Sequence, residues 1–206
     1  MAWLDPDSVA DAGAFLARVV RLDPGAVVRL RPLAAGTVAL WGRLPFGVLV
    51  TRGVHGDLAD DVTVGAAALL ATVEAAERGL PPARPTDWRW PLPGVPGTVV
   101  ESIPADDILR VGAAAADTVR FASTEGVGGR AVGSRALRDA LLDHVPIVVT
   151  TGAGERVPVP QRLVQAVLRM GFAPAGSVVQ VRVAGGWVGL SASFGNSWFR
   201  PPLLLR

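Results

Sequence analysis

Few side chains in this sequence can do chemistry: His55 and His144 are its only imidazoles, and lysine, cysteine and tyrosine are absent. Nucleophilic catalysis by serine or threonine would need one of those rings, or a carboxylate, within hydrogen-bond reach. His144 sits in LLDHVP directly after a helical pattern, where a histidine caps terminal carbonyls and complements the helix dipole. His55 stands in GVHGDLADD, where Asp57, Asp60 and Asp61 could join it around a divalent metal. That spacing matches no established motif, and a solvated loop entering a helix N-terminus is the simpler reading.

Arginine supplies all the positive charge. The segment EGVGGRAVGSR, residues 125–135, leads into a helix whose N-terminus could hold an anion beside Arg130, Arg135 and Arg138. Neither the Walker nor the dinucleotide spacing is present, so an inter-helix connection explains the glycines as well. After Glu155 there is no acid, while Arg156, Arg162, Arg169, Arg182, Arg200 and Arg206 remain. A helix from Pro160 to Met170 would align Arg162, Gln165 and Arg169 opposite Leu163, Val167 and Met170. Such a face suits phosphates and base edges, and Arg182 on the following hairpin could belong to a wing. A strand and the GAGERVPVP segment interrupt the short turn that a helix-turn-helix needs.

Two apolar features could meet a protein partner. Six prolines, at 81, 82, 85, 91, 93 and 96, mark a connector that carries Trp88 and Trp90 around Arg89. In an extended chain both indoles face one way, as a strap over the core or as the wall of a partner groove. The terminal Leu203, Leu204 and Leu205 return to the protein's own surface or reach a second copy in a homodimer.

The elements that must position these residues are readable from periodicity. Asp7 and Ser8 cap a helix to Leu22; strands follow at 27–31, 37–44 and 47–54; Thr63 opens a second helix ending at Arg78 and Gly79. Beyond the connector come a strand at 98–103, a helix from Asp106 to Ser123, a helix from Ser134 to Asp143 and a strand at 145–150. A helix at 160–170 and a hairpin pairing 178–184 with 187–194 close the chain. The first and last helix-plus-hairpin segments align: GAVVRLR at 25–31 with GSVVQVR at 176–182, and Phe46-Gly47 with Phe194-Gly195. The expected fold is α+β, in two unequal halves with antiparallel sheets covered by helices; the alignment reads either as a duplicated α-β-β unit or as the chance self-similarity of a chain rich in Val, Arg, Gly and Ala. Its parts are 1–80, the connector 81–97 and 98–206.

With 20 arginines against 18 acids the net charge is only +2, so basicity is no argument for a nucleic-acid partner. Half the residues are apolar, which excludes a disordered chain. The acidic start MAWLDPDS fits no signal or transit peptide, and no run is long enough to span a membrane. A soluble, cytoplasmic protein is expected.

The segments DWRWPLPG (87–94), GGRAVGSRALRDALLDHV (128–145) and VPQRLVQAVLRMGF (159–172), in this order, resemble an uncharacterised protein family of high-GC actinobacteria. That resemblance implies a free-standing protein and assigns no activity. The sequence therefore points to a non-enzymatic binding protein without a cofactor. A nucleic-acid-binding protein using the C-terminal helix and hairpin is the alternative, and a metal- or phosphate-dependent enzyme comes third.

Overall fold

A computed structural model of the chain describes residues 3–34, 36–94, 96–125 and 134–201; the side chains at 119, 122–125 and 134–138 lie outside that description. The chain divides into two units, the first ending at Leu92 and the second beginning at Pro93.

In the first unit a 3-10 turn, Pro6–Ser8, is capped by Asp5, whose Oδ1 accepts the Asp7 N–H at 3.0 Å. It leads into α1 (Val9–Leu22), which buries Ala12, Phe15, Leu16 and Val19 at helical spacing. Four antiparallel strands follow: β1 (Val27–Leu33), β2 (Thr37–Arg43), β3 (Leu49–His55) and β4 (Val62–Gly65), lying in the order β4-β1-β2-β3. Alternation sets the register, with Leu30 opposite Leu40 and Val28 opposite Val64, all four fully buried. The second helix, α2 (Ala66–Glu74), packs against α1.

Here the structure corrects one expectation. Thr63 does not open a helix; it lies in β4 opposite Arg29 of β1. The β-branched run Val62-Thr63-Val64 pairs before the alanines begin to wind, so the helix starts at Ala66 and stops at Glu74, short of Gly79.

The second unit opens with β5 (Thr98–Pro104), α3 (Ala105–Glu125) and α4 (Ser134–Asp143), continues through β6 (Ile147–Thr150) and β7 (Arg156–Val159), and reaches α5 (Gln161–Met170). It ends in the meander β8 (Val178–Ala184), β9 (Trp187–Ala192) and β10 (Gly195–Phe199). The sheet runs β10-β9-β8-β5, and β6 with β7 forms a separate hairpin. Helix α5 is the core element: Leu163, Val164, Ala166 and Val167 are fully buried. Its neighbour α3 comes so close that a Cβ at Gly112 would lie 2.0 Å from Leu168.

Each unit thus contains a helix running into a three-stranded antiparallel meander, α1 into β1-β2-β3 and α5 into β8-β9-β10. The strand β10, unexpected from its Gly-Asn-Ser start, overturns the wing. Flanked by β10 on one side and β5 on the other, the β8–β9 hairpin lies inside its sheet rather than at an edge.

Candidate functional site

The site is assembled at one end of the first unit, where the turn leaving α1, the end of β2 and the proline-rich connector meet. At the first of these, Asp23 ends α1: its N–H donates to the Val19 carbonyl at 2.9 Å, and its Oδ1 accepts the Gly25 N–H at 2.9 Å. The second places Arg43, the last residue of β2, beside the buried Leu44.

The connector is pinned by backbone bonds rather than by prolines alone. The Arg84 N–H donates to the Thr63 carbonyl at 2.7 Å, and Ala83 bridges to Val64, covering the outer edge of β4. A 3-10 turn at Pro85–Asp87 then brings Arg84 to within 2.6 Å of the Asp87 carboxylate. Trp88 is buried, with its Nε1–H donating to the Trp90 carbonyl at 2.7 Å. The two rings meet edge to face, 5.6 Å apart at 88°. Trp90 is half-buried and carries the Arg43 guanidinium over its ring at 4.7 Å. The result is a pocket of about 180 Å³ with an apolar base at Ala26 and Leu44, walls at Arg43 and Trp90, and Asp23, Arg84 and Asp87 around it.

Of the residues singled out in the sequence, Trp88 and Trp90 come together here, the first as a support and the second as a wall. Leu203, Leu204 and Leu205 lie outside the described residues, as do Arg130 and the Arg135 side chain. The metal group is not brought together: Asp61 is drawn to Arg29 at 2.5 Å and Arg31 at 3.9 Å. His55 is exposed and uses its backbone to hold Ser8 and Asp5, while the Asp57 N–H binds the Trp3 carbonyl. Among the described residues no cluster of three His, Asp or Glu side chains could hold a metal ion. His144 ends α4 through its backbone N–H, which reaches the Ala140 and Leu141 carbonyls at 3.2 Å.

Of the residues expected to contact nucleic acid, Arg162 on α5 and Arg182 on β8 are engaged by the fold itself. Arg162 is ion-paired with Asp143 and lies 4.5 Å from the Phe199 ring centre. Arg182 donates to the Pro96 carbonyl at 3.0 Å, the Gly97 carbonyl at 3.2 Å and the Gln180 side chain at 2.7 Å. Gln165 is half-buried, and Arg169 faces solvent. Sequence reasoning missed Arg43, because its partner Trp90 is remote in the chain and only the folded connector joins them.

The chain's fold is similar to that of the DNA polymerase III subunit beta from Pseudomonas aeruginosa, at TM-score 0.56 and 13% identity over 93% of this chain and 62% of that one. A DNA polymerase sliding clamp from Caulobacter crescentus matches with TM-score 0.51, 14% identity, and 93% and 63% coverage. A sliding clamp from Bartonella birtlesii matches with TM-score 0.54, 16% identity, and 92% and 62% coverage. The chain spans about three-fifths of the length of the clamps it matches. The likeness is one of fold: a mixed α+β chain with antiparallel sheets and helices, whose halves resemble the repeated domain fold of a clamp. Among the described residues no helix is long and apolar enough to cross a membrane. No curated protein matches the sequence. Residues 1–92 match the model of a domain of unknown function, DUF8010. Residues 92–204, more than half of the sequence, match that of a second, DUF8185, and the chain belongs to this uncharacterised family.

Proposed function

We propose that the chain is a non-enzymatic binding protein that captures a segment of a protein partner in the pocket under its Pro/Trp connector. The observation that carries this reading is the pairing of Arg43 with Trp90 over a pocket of about 180 Å³. Small-molecule and cofactor sites usually enclose roughly 300–1,000 Å³, so this volume suits one anchoring side chain better than a nucleotide or cofactor. Tryptophan and arginine are also the residues most enriched at the energetic centres of protein interfaces. Selection of short displayed peptides against the whole protein tests the reading. Peptides whose binding is lost on Trp90→Ala, with the thermal unfolding midpoint retained, are expected; a selection yielding none would end it.

A nucleic-acid partner is the second reading. The acid-free stretch after Glu155, with Arg156, Arg169 and Arg200 exposed, favours it, as does the fold likeness to DNA polymerase sliding clamps. The long helix α3 speaks the other way, since Arg110 is paired with Asp107 and Arg120 with Asp117 on its own surface. Duplex DNA binding in low salt that weakens when Arg156, Arg169 and Arg200 are changed together to alanine would support this reading. Absence of such binding would exclude it.

A further inference from the structure

We propose that the Arg43–Trp90 pocket accepts the side-chain carboxylate of a glutamate in the partner's peptide, an inference that rests on the peptide-binding reading. Four charged residues line the pocket, and three are engaged: Arg84 and Asp87 hold each other at 2.6 Å, and Asp23 accepts the Gly25 N–H. The fourth, Arg43, has no carboxylate within ion-pair distance and no hydrogen-bond acceptor for its guanidinium among the described residues; its contact is the Trp90 ring. A guanidinium lying over an aromatic ring keeps its N–H donors in its own plane, and a carboxylate is the group that matches that fork.

The surroundings narrow the source of the carboxylate. A chain terminus is usually captured by a nest of free backbone N–H groups. Here those of Gly25, Ala26 and Asp87 are already committed, to Asp23 Oδ1, the Asp23 carbonyl and the Arg84 carbonyl. A phosphate brings close to two negative charges. With Arg84 neutralised by Asp87, Arg43 is the one cation of the lining left without a carboxylate, and a single positive charge opposed by nearby Asp23 suits a monoanion better than a dianion. Glutamate adds two methylenes that can lie on Ala26 and Leu44 while the carboxylate meets Arg43.

The test follows the indole N–H signals of the full-length protein by NMR, with that of Trp90 assigned through Trp90→Phe. The probes are acetyl-Leu-Glu-Leu-amide, its glutamine counterpart, and acetyl-Leu-Leu with a free C-terminus. A saturable shift of the Trp90 signal is expected with the glutamate peptide alone. Arg43→Gln should weaken that binding about tenfold or more, the scale of a charge-assisted bidentate contact. Asp23→Asn keeps the Oδ1 acceptor for Gly25 and removes a like charge, so it should tighten binding; this sign stands even if the Arg43 variant fails to fold. Equal binding of the glutamine peptide, preference for the free C-terminus, no saturable shift at all, or weaker binding by Asp23→Asn would overturn the inference. The two readings fail separately: displayed peptides that depend on Trp90 but carry no acidic residue would remove the glutamate and leave the binding role standing.

Discussion

Arg162 lies with its guanidinium 4.5 Å from the ring centre of Phe199 while also paired with Asp143, so a residue that looks like a phosphate contact in the sequence is a tie between α5, β10 and α4. Its side chain is only 15% exposed. Such burial makes the alkyl stem and the ring contact, more than the exposed ion pair, the source of its stabilisation. Arg162→Ala should therefore cost about 1–2 kcal/mol in urea unfolding and leave any DNA affinity unchanged. Loss of DNA binding at constant stability would contradict this assignment.

The contrast shows what the sequence could carry. Helix α1 and strands β1 to β3 were legible because alternation and helical spacing are local and each element buries one face. β4 was not, since Thr63 is both a good helix cap and a good strand residue. Pairing with β1 decided between them. β10 was hidden because Gly195, Asn196 and Ser197 carry turn chemistry, yet they pair with Ala192, Ser191 and Leu190. At the candidate site Trp88 and Trp90 were legible by type. Their division into support and wall, and the arrival of Arg43, depend on the connector's anchorage to Thr63.

Trp88→Phe separates support from wall. The substitution keeps an aromatic ring and removes the Nε1–H donor to the Trp90 carbonyl. Loss of that part-buried bond should cost about 1 kcal/mol. It should also weaken peptide capture although Trp88 does not line the pocket. Hydrogen exchange of the connector amides should speed up in the same variant, and unchanged exchange would show that the bond does not hold Trp90.

In the second unit, Gly189 lies opposite Trp198, and a Cβ there would fall 2.5 Å from the indole. The ring cannot retreat freely, because Gly97 approaches it too, with a Cβ position 3.1 Å away. Gly189→Ala should destabilise by about 1–3 kcal/mol, the usual cost of overpacking. Gly79→Ala, where nothing lies within 4 Å, should stay within about 0.5 kcal/mol. Comparable unfolding midpoints for the two variants would refute this packing argument.

Two helices end on the same left-handed turn with different residues. In α5 the turn residue is Gly171 at φ 61°, with the Phe172 N–H bonded to the Val167 carbonyl. In α2 it is Ala76 at φ 52°, with the Glu77 N–H bonded to the Thr72 carbonyl and the Ala76 N–H to that of Val73. Glycine adopts this conformation without the Cβ clash that alanine suffers. Ala76→Gly should therefore stabilise the protein and Gly171→Ala destabilise it, each by about 1 kcal/mol. The first sign is the sharper one, because glycine within a helix normally destabilises. If Ala76→Gly lowers the unfolding midpoint, α2 continues past Glu74 in solution and the turn at Ala76 does not form.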